Sequence, residues 1–284
     1  MHYAETRRRA GDFEINPIEN HRERENGVIV YPVYSRRSGG LSVGINLFPE
    51  KKFCPFDCPY CEVFPFSTNA EFSLEQMEKD LHSAICAARE QNIPIKDICF
   101  SGNGEPSLSA AFGEALKLAD SIRRELVPSA RLVVISNGAG LLQPGIFSTL
   151  KDAAACPDFN IWLKVDAGTP DWYQKINRSA IPFEALTAKI REFASLAPVT
   201  IQTMLCEVDG NVPPDEEAQA WEQLLVELAL NGKLRETQIY GKARPAPEDP
   251  MAASLPVRYL EERAASLRLA FAGIGVEIPV EVYD

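Results

Sequence analysis

The chain has no apolar run long enough to cross a bilayer; none approaches the roughly 18 consecutive residues that a membrane helix needs. It also lacks an excess of positive charge, with a formal net charge of −11 over 284 residues. Residues 1–53 carry 9 Lys/Arg against 7 Asp/Glu, which leaves −13 on the remainder. A protein that grips a nucleic-acid backbone usually shows a basic face. Here only a local one is available, near Arg22, Arg24, Arg36, Arg37, Lys51 and Lys52, and a solvated charged surface accounts for any one of these. The opening Met1–Asp12 has Arg7, Arg8 and Arg9 with no apolar segment behind them, so it is not expected to act as a secretory signal. There is no internal repeat, low-complexity tract or long linker. No cysteine precedes Cys54 and none follows Cys206. A disulfide framework is therefore not expected, and unpaired cysteines suit a reducing, cytoplasmic setting.

What is present is concentrated in one loop. Cys54-Pro-Phe-Asp-Cys58-Pro-Tyr-Cys61 places three thiols at C-x3-C-x2-C spacing. Pro55 and Pro59 stiffen the loop and limit the order lost when a metal group binds. Thiolates are the ligands of iron–sulfur clusters and soft metals. A structural zinc site would need a fourth ligand, and none follows at zinc-finger spacing. Covalent haem attachment needs His after the last cysteine, where Glu62 stands. A closed iron–sulfur cluster usually takes four cysteines, so three leave one iron open, and an open position is where chemistry can happen.

The rest of the chain reads as strands alternating with helices. With 45% hydrophobic residues and this length it can bury a full core. Leu41, Val43, Ile45 and Leu47 alternate with Ser42, Gly44 and Asn46, which predicts a strand running into the cysteine loop. Ser73 and Gln76 form a capping box, and Leu74, Met77, Leu81, Ile85 and Ala88 a buried helical stripe, with His82 and Cys86 read as packing beside it. Further strands are expected at 95–101, 131–136, 160–166, 199–205 and 237–240. Helices are expected near 112–122, 145–155, 170–176, 183–196, 215–230 and 255–271, and 276–282 closes the chain. Six strands alternating with helices imply a parallel sheet with right-handed crossovers. In the fourth strand Ile161, Leu163 and Val165 form an apolar face for the helices, which turns Trp162, Lys164 and Asp166 toward a site. A structural Lys–Asp ion pair is the alternative. Cys86, Cys99, Cys156 and Cys206 are scattered singly, as small core residues are.

The triplet with Tyr60 before its last cysteine resembles the signature of radical S-adenosylmethionine (SAM) enzymes. The segment Tyr31–Asn46 is similar to the entry of one branch of that family, which contains the wyosine-synthesis enzymes of tRNA modification and many uncharacterised relatives. Gly102-Asn-Gly-Glu-Pro106, one strand later, resembles the family's Gly-Gly-Glu motif, with Asn103 in place of the second glycine. The resemblance covers roughly residues 30–245, with boundaries good to about ±2–4 residues. It implies an α/β fold, a partial (β/α)6 TIM-like barrel, with the site at the C-terminal ends of the strands. It divides the chain into an N-terminal extension (1–40), a radical SAM core (41–245) and a C-terminal helix-and-strand decoration (246–284).

The resemblance implies that Cys54, Cys58 and Cys61 hold a [4Fe-4S] cluster, whose open iron is chelated by the amino and carboxylate groups of SAM. One electron, from an external donor, then splits SAM and releases a 5′-deoxyadenosyl radical. Tyr60 would lie against the adenine, and Gly102, Gly104 and Glu105 would hold the methionine end. Ser136, Asn137 and Asp166 are candidates for the ribose and carboxylate. Lys164, Asp166, Lys242 and Arg244 are the catalytic candidates, and the three cations would suit an anionic substrate. The expected function is a one-cluster enzyme acting on a small or nucleoside-like molecule. A wyosine-type tRNA enzyme is disfavoured, because those enzymes carry a second cluster on cysteines upstream of the triplet and this chain has none there. A non-enzymatic iron–sulfur carrier is the third possibility, and it leaves Gly102–Glu105 unexplained.

Overall fold

The computed structural model describes residues 27–247 and 251–283. Arg22, Arg24 and most of the expected N-terminal extension lie outside the described residues. One curled sheet organises the fold. Its strands are β1 (Val30–Ser35), β2 (Gly40–Ile45), β3 (Ile95–Phe100), β4 (Arg131–Ser136), β5 (Phe159–Lys164), β6 (Val199–Val208), β7 (Leu234–Gly241) and, after a short β8 (Ala252–Ser254), β9 (Val280–Tyr283). They lie in the order β1-β2-β3-β4-β5-β6-β7-β9. All neighbours are parallel except the β1–β2 hairpin, and β8 pairs antiparallel with the end of β6. The helices are α1 (Leu74–Glu90), α2 (Phe112–Leu126), α3 (Pro144–Ala153), α4 (Pro170–Ile176), α5 (Phe183–Leu196), α6 (Asp215–Asn231) and α7 (Val257–Gly273). Strands β2 to β7 with α1 to α6 make the parallel sheet that the alternation predicts, curled into the partial (β/α)6 barrel that the resemblance implies.

The sheet has two chemically different faces, and that difference places the site. Leu41, Val43 and Ile45 of β2, Ile98 and Phe100 of β3, Leu132 and Val134 of β4, Ile161 and Leu163 of β5 and Ile239 of β7 are buried in the main core with the helix stripes. Met77, Leu81, Ile85 and Ala88 of α1 lie there as the periodicity predicts. The alternate residues form the concave face: Ser42, Cys99, Ile135, Trp162, Lys164, Gln202 and Tyr240. A sheet covered by helices on one side only reads as strands with one apolar and one mixed face.

Three elements differ from the sequence reading. Residues 30–35, inside the segment read as an extension, form an edge strand. Pro32 would be out of place in a central strand, but proline is tolerated on an edge, where no neighbour needs its N–H. The terminal segment becomes β9 and adds a seventh parallel strand beside β7. Strand β8 is three residues long, too short for any period to show. Ser73 caps α1 as expected, its Oγ accepting from the Gln76 N–H at 3.3 Å, while the Gln76 side chain turns instead to Asp80. Cys99 and Cys206 are buried, but Cys86 is exposed on α1 and is not a core residue. Among the described residues, no helix is long and apolar enough to cross a membrane.

Gly44 shows how tightly the hairpin closes the concave face. A Cβ there would sit 2.3 Å from Cζ of Tyr31, whose hydroxyl bonds Ser101 Oγ at 2.7 Å. Gly44→Ala must displace that ring, and overpacking of this kind costs about 1–3 kcal/mol. Urea unfolding should show the midpoint fall with the slope unchanged; an unaltered midpoint would contradict the packing described.

Candidate functional site

The cysteine loop is held by two neighbouring loops through backbone bonds. Phe53 N–H donates to Asn103 O at 3.0 Å, and Glu105 N–H donates to Phe53 O at 2.9 Å. Asp57 N–H donates to Asn177 O at 3.0 Å, and Ser179 Oγ to Pro55 O at 3.2 Å. Cys61 N–H closes a turn onto Cys58 O at 3.0 Å. The glycines after β3 make this approach possible. A Cβ on Gly104 would lie 1.9 Å from Phe53 O, and Gly102, at φ 126°, meets the Asn46 side chain. Asn46, at the end of β2, braces the same loop: its Oδ1 accepts from the Asn103 and Phe48 N–H groups and its Nδ2 donates to Val28 O.

Two buried carboxylates fix the strand ends. Glu105 Oε1 accepts from Ser107 Oγ (2.5 Å), Ser107 N (3.2 Å) and Ser136 Oγ (2.8 Å), and its Oε2 accepts from Asn137 N (2.6 Å). Burial raises this carboxyl above the ordinary carboxylate range, against the pull of those hydrogen bonds. Asn137 Nδ2 reaches Cys54 Sγ at 3.4 Å, so Glu105 and Cys54 are linked through one residue. Asp166 accepts from Met204 N–H at 2.9 Å, Asn177 Nδ2 at 2.9 Å and the Tyr60 hydroxyl. Asn177 Nδ2 also lies 3.5 Å from Cys58 Sγ. The Tyr60 hydroxyl is held well above its ordinary value by burial, reinforced by Asp166, and so remains a donor.

Two of the thiols are firmly protonated in the metal-free protein. Burial pushes Cys54 up to about 12 and Cys58 to about 11. A metal that binds them must displace those protons. Each of the three cysteines lies within electrostatic reach of the other two. Among the described residues, however, no three Cys, His, Asp or Glu side chains converge as ligands of a single ion.

A cavity of about 430 Å³ opens over the C-terminal ends of the strands. Tyr60, Cys61 and Glu62 form one wall and Gly102, Asn103 and Gly104 another. Lys164, Gln202, Tyr240 and Arg244 also line it, as does Arg37 from the β1–β2 turn. Lys164 donates to the Tyr240 hydroxyl and stands 4.7 Å from the Tyr60 ring centre. Burial would lower its ammonium, but Tyr240, Asp166 and Cys58 hold it above its ordinary value, so it stays charged. Arg244 pairs with Glu62 at 3.2 Å.

Tyr60, Gly102, Gly104, Lys164 and Arg244 therefore share the cavity with Cys61. Glu105, Ser136, Asn137 and Asp166 stand behind its wall as struts between loops, and Lys242 is buried outside its lining. Lys164 and Asp166 do not form the ion pair considered above; each has other partners. Asn46, Asn177, Gln202, Arg37 and Tyr240 carry more of the geometry than the sequence reading gave them. Gln202 and Tyr240 sit on the inward faces of β6 and β7, whereas Asn46, Asn177 and Arg37 act from loops that no local pattern connects.

No family model matches the chain. The fold is that of radical SAM enzymes. A radical SAM methyltransferase from Sphaerobacter thermophilus superposes with a TM-score of 0.63 at 17% identity, over 89% of this chain and 69% of that one. Streptococcus suis SuiB bound to S-adenosylmethionine gives 0.63 at 11% identity, over 87% and 52%. A mutant spore photoproduct lyase gives 0.55 at 9%, over 89% and 79%. In sequence, the chain is 32% identical over 136 residues to a UPF0026 protein of Helicobacter pylori strain J99, a match that spans 45% of this chain and only 41% of that protein's length. It is 28% identical over 223 residues to UPF0026 protein slr1464 of Synechocystis sp., 76% of each chain.

Gly104→Ala tests whether the Phe53 contact positions the thiols. The added methyl clashes with backbone, which cannot rotate away, so the cysteine loop must move. Iron and sulfide bound after anaerobic reconstitution should drop to less than about half of wild type, with a stability loss of about 1–3 kcal/mol. Full cluster content would contradict the coupling.

Proposed function

We propose that this chain is a radical SAM enzyme that acts on a small molecule. The observation that carries the reading is one cavity, at the C-terminal ends of parallel strands, walled by Cys61 on one side and the Gly102–Gly104 backbone on the other. Cys54, Cys58 and Cys61 would hold the [4Fe-4S] cluster, and the Gly102–Gly104 loop and Tyr60 would border SAM. Such a cluster would supply the one-electron reduction that cleaves SAM and the hydrogen abstraction from substrate that follows from it. The chain's own residues position and enclose. Glu105 ties the end of β3 to the start of the loop after β4, and Asn137 carries that tie to Cys54. Asp166 holds Tyr60 and Asn177, and so the two ends of the cysteine loop's inner wall, against β6. Trp162 and Tyr240 line the concave face and help to keep water from a reactive centre. The cavity is within the roughly 300–1,000 Å³ usual for small-molecule sites. An external donor would supply the electron. On the far side of the loop, Cys54 borders a surface hollow with Lys51 and Lys52, a short path for such a donor.

The test is 5′-deoxyadenosine formation after anaerobic reconstitution with SAM and a strong reductant, beside Cys58→Ala. Product should appear in the wild type and fall to background in the variant. An intact four-iron cluster that yields no 5′-deoxyadenosine, with or without candidate substrates, would overturn the reading.

A further inference from the structure

Arg37 is legible in the sequence only as one member of a scattered basic group. In the folded chain it lines the cavity instead. Its guanidinium carbon stands 4.9 Å from the centre of the Tyr240 ring and 6.0 Å from that of Trp162. Lys164 Nζ stands 5.0 Å from the same Tyr240 centre. The two cations are therefore no more than about 10 Å apart across one aromatic ring. Among the described residues, no carboxylate lies within ion-pair distance of either. Asp166, which helps to hold Lys164 charged from a distance, accepts hydrogen bonds from Tyr60, Asn177 and Met204, and Glu62 pairs with Arg244. Like charges facing a shared, partly desolvated space repel unless an anion lies between them.

A second observation points to the same ligand. Gln202, on the floor of the cavity, is fully buried. Its Nε2 donates to Gln238 Oε1 at 2.8 Å, but its Oε1 has no hydrogen-bond partner. A buried acceptor left without a donor is costly, of the order of 1–3 kcal/mol, and buried polar groups are normally satisfied. A ligand N–H or O–H would complete it.

We propose that Arg37 and Lys164 form an anion subsite for the substrate, a small organic molecule bearing a carboxylate or phosphate together with an N–H or O–H group that reaches Gln202. The proposal rests on reading the cavity as the substrate site. The charged ends of Arg37 and Lys164 both stand over aromatic rings, whose faces favour a cation. Arg37 offers a planar fork to either anion, and Lys164 a point charge.

The test uses the cluster-free full chain, so that it stands apart from any radical chemistry. Inorganic phosphate and succinate are titrated separately by calorimetry at low ionic strength, against wild type, Arg37→Gln, Arg37→Lys and Gln202→Leu; SAM is titrated into the reconstituted protein and its Arg37→Gln variant. One of the two anions should bind saturably, which distinguishes phosphate from carboxylate as the natural headgroup. Affinity should fall at least about tenfold in Arg37→Gln, the loss of one charge-assisted contact, and less in Arg37→Lys, which keeps the charge. Gln202→Leu should leave succinate bound as in wild type, since the dianion carries no N–H or O–H donor for Gln202; a matching loss in Gln202→Leu would show that the variant disturbs the cation pair itself. SAM affinity should be unchanged in Arg37→Gln. The proposal is overturned if neither anion binds, if Arg37→Gln binds them as well as wild type does, or if SAM affinity falls in parallel, which would give the cations to the SAM carboxylate instead. A failure to form 5′-deoxyadenosine would overturn the radical reading while leaving these titrations to judge the subsite.

Discussion

Phe53 bonds the loop after β3 from both sides, donating to Asn103 and accepting from Glu105. That pairing works only because residue 104 has no side chain: any Cβ would fall 1.9 Å from the Phe53 carbonyl. It fixes the cysteine loop to the end of β3, and the Glu105 carboxylate carries the same constraint to β4 through Ser136 and Asn137. The thiols are thus positioned by the sheet rather than by the loop's own stiffness, although Pro55 and Pro59 help. Removing the bridge would leave the loop held only on its Asn177 and Ser179 side, with nothing tying Cys54 to the end of β3 but the Asn137 contact.

The second constraint is the division of the sheet into an apolar outer and a mixed inner face. Helices cover the outer face, and the hydrophobic effect drives that layer together. The inner face has no such cover. It carries Ser42, Lys164, Gln202 and Tyr240 where a sandwiched sheet would carry valines. Such a face is a poor core and a usable site. Its polar groups are mostly satisfied by one another. Arg37 and Lys164, which no carboxylate pairs within ion-pair distance among the described residues, and the unpartnered Oε1 of Gln202 are gathered on one cavity.

Much of this was legible in the sequence, for local reasons. The period-2 alternation in β2 and β5 and the 3.6-residue stripe of α1 are properties of contiguous residues, so these elements and the inward aim of Trp162 and Lys164 could be read directly. The cysteine spacing and the glycines after β3 were legible for the same reason. What was not legible depends on residues far apart in the chain. Asn177 meets Cys58 and Asp166 only because α4 ends beside the cysteine loop. Arg37 enters the cavity only because the β1–β2 hairpin folds over the concave face. Glu105 was expected, by resemblance, to hold the methionine end of SAM; its four internal hydrogen bonds make it a brace between loops. Lys242 and Arg244 looked equivalent in sequence, yet one is buried outside the cavity and the other is paired with Glu62.

The proposed four-iron cluster on Cys54, Cys58 and Cys61 would lie beside the cavity that Cys61 lines. Electron paramagnetic resonance of the reconstituted, reduced protein, recorded with and without SAM, tests it most directly. The account predicts about four irons per chain and a cluster signal that shifts when SAM is added. A signal indifferent to saturating SAM, or a single metal ion per chain, would contradict it.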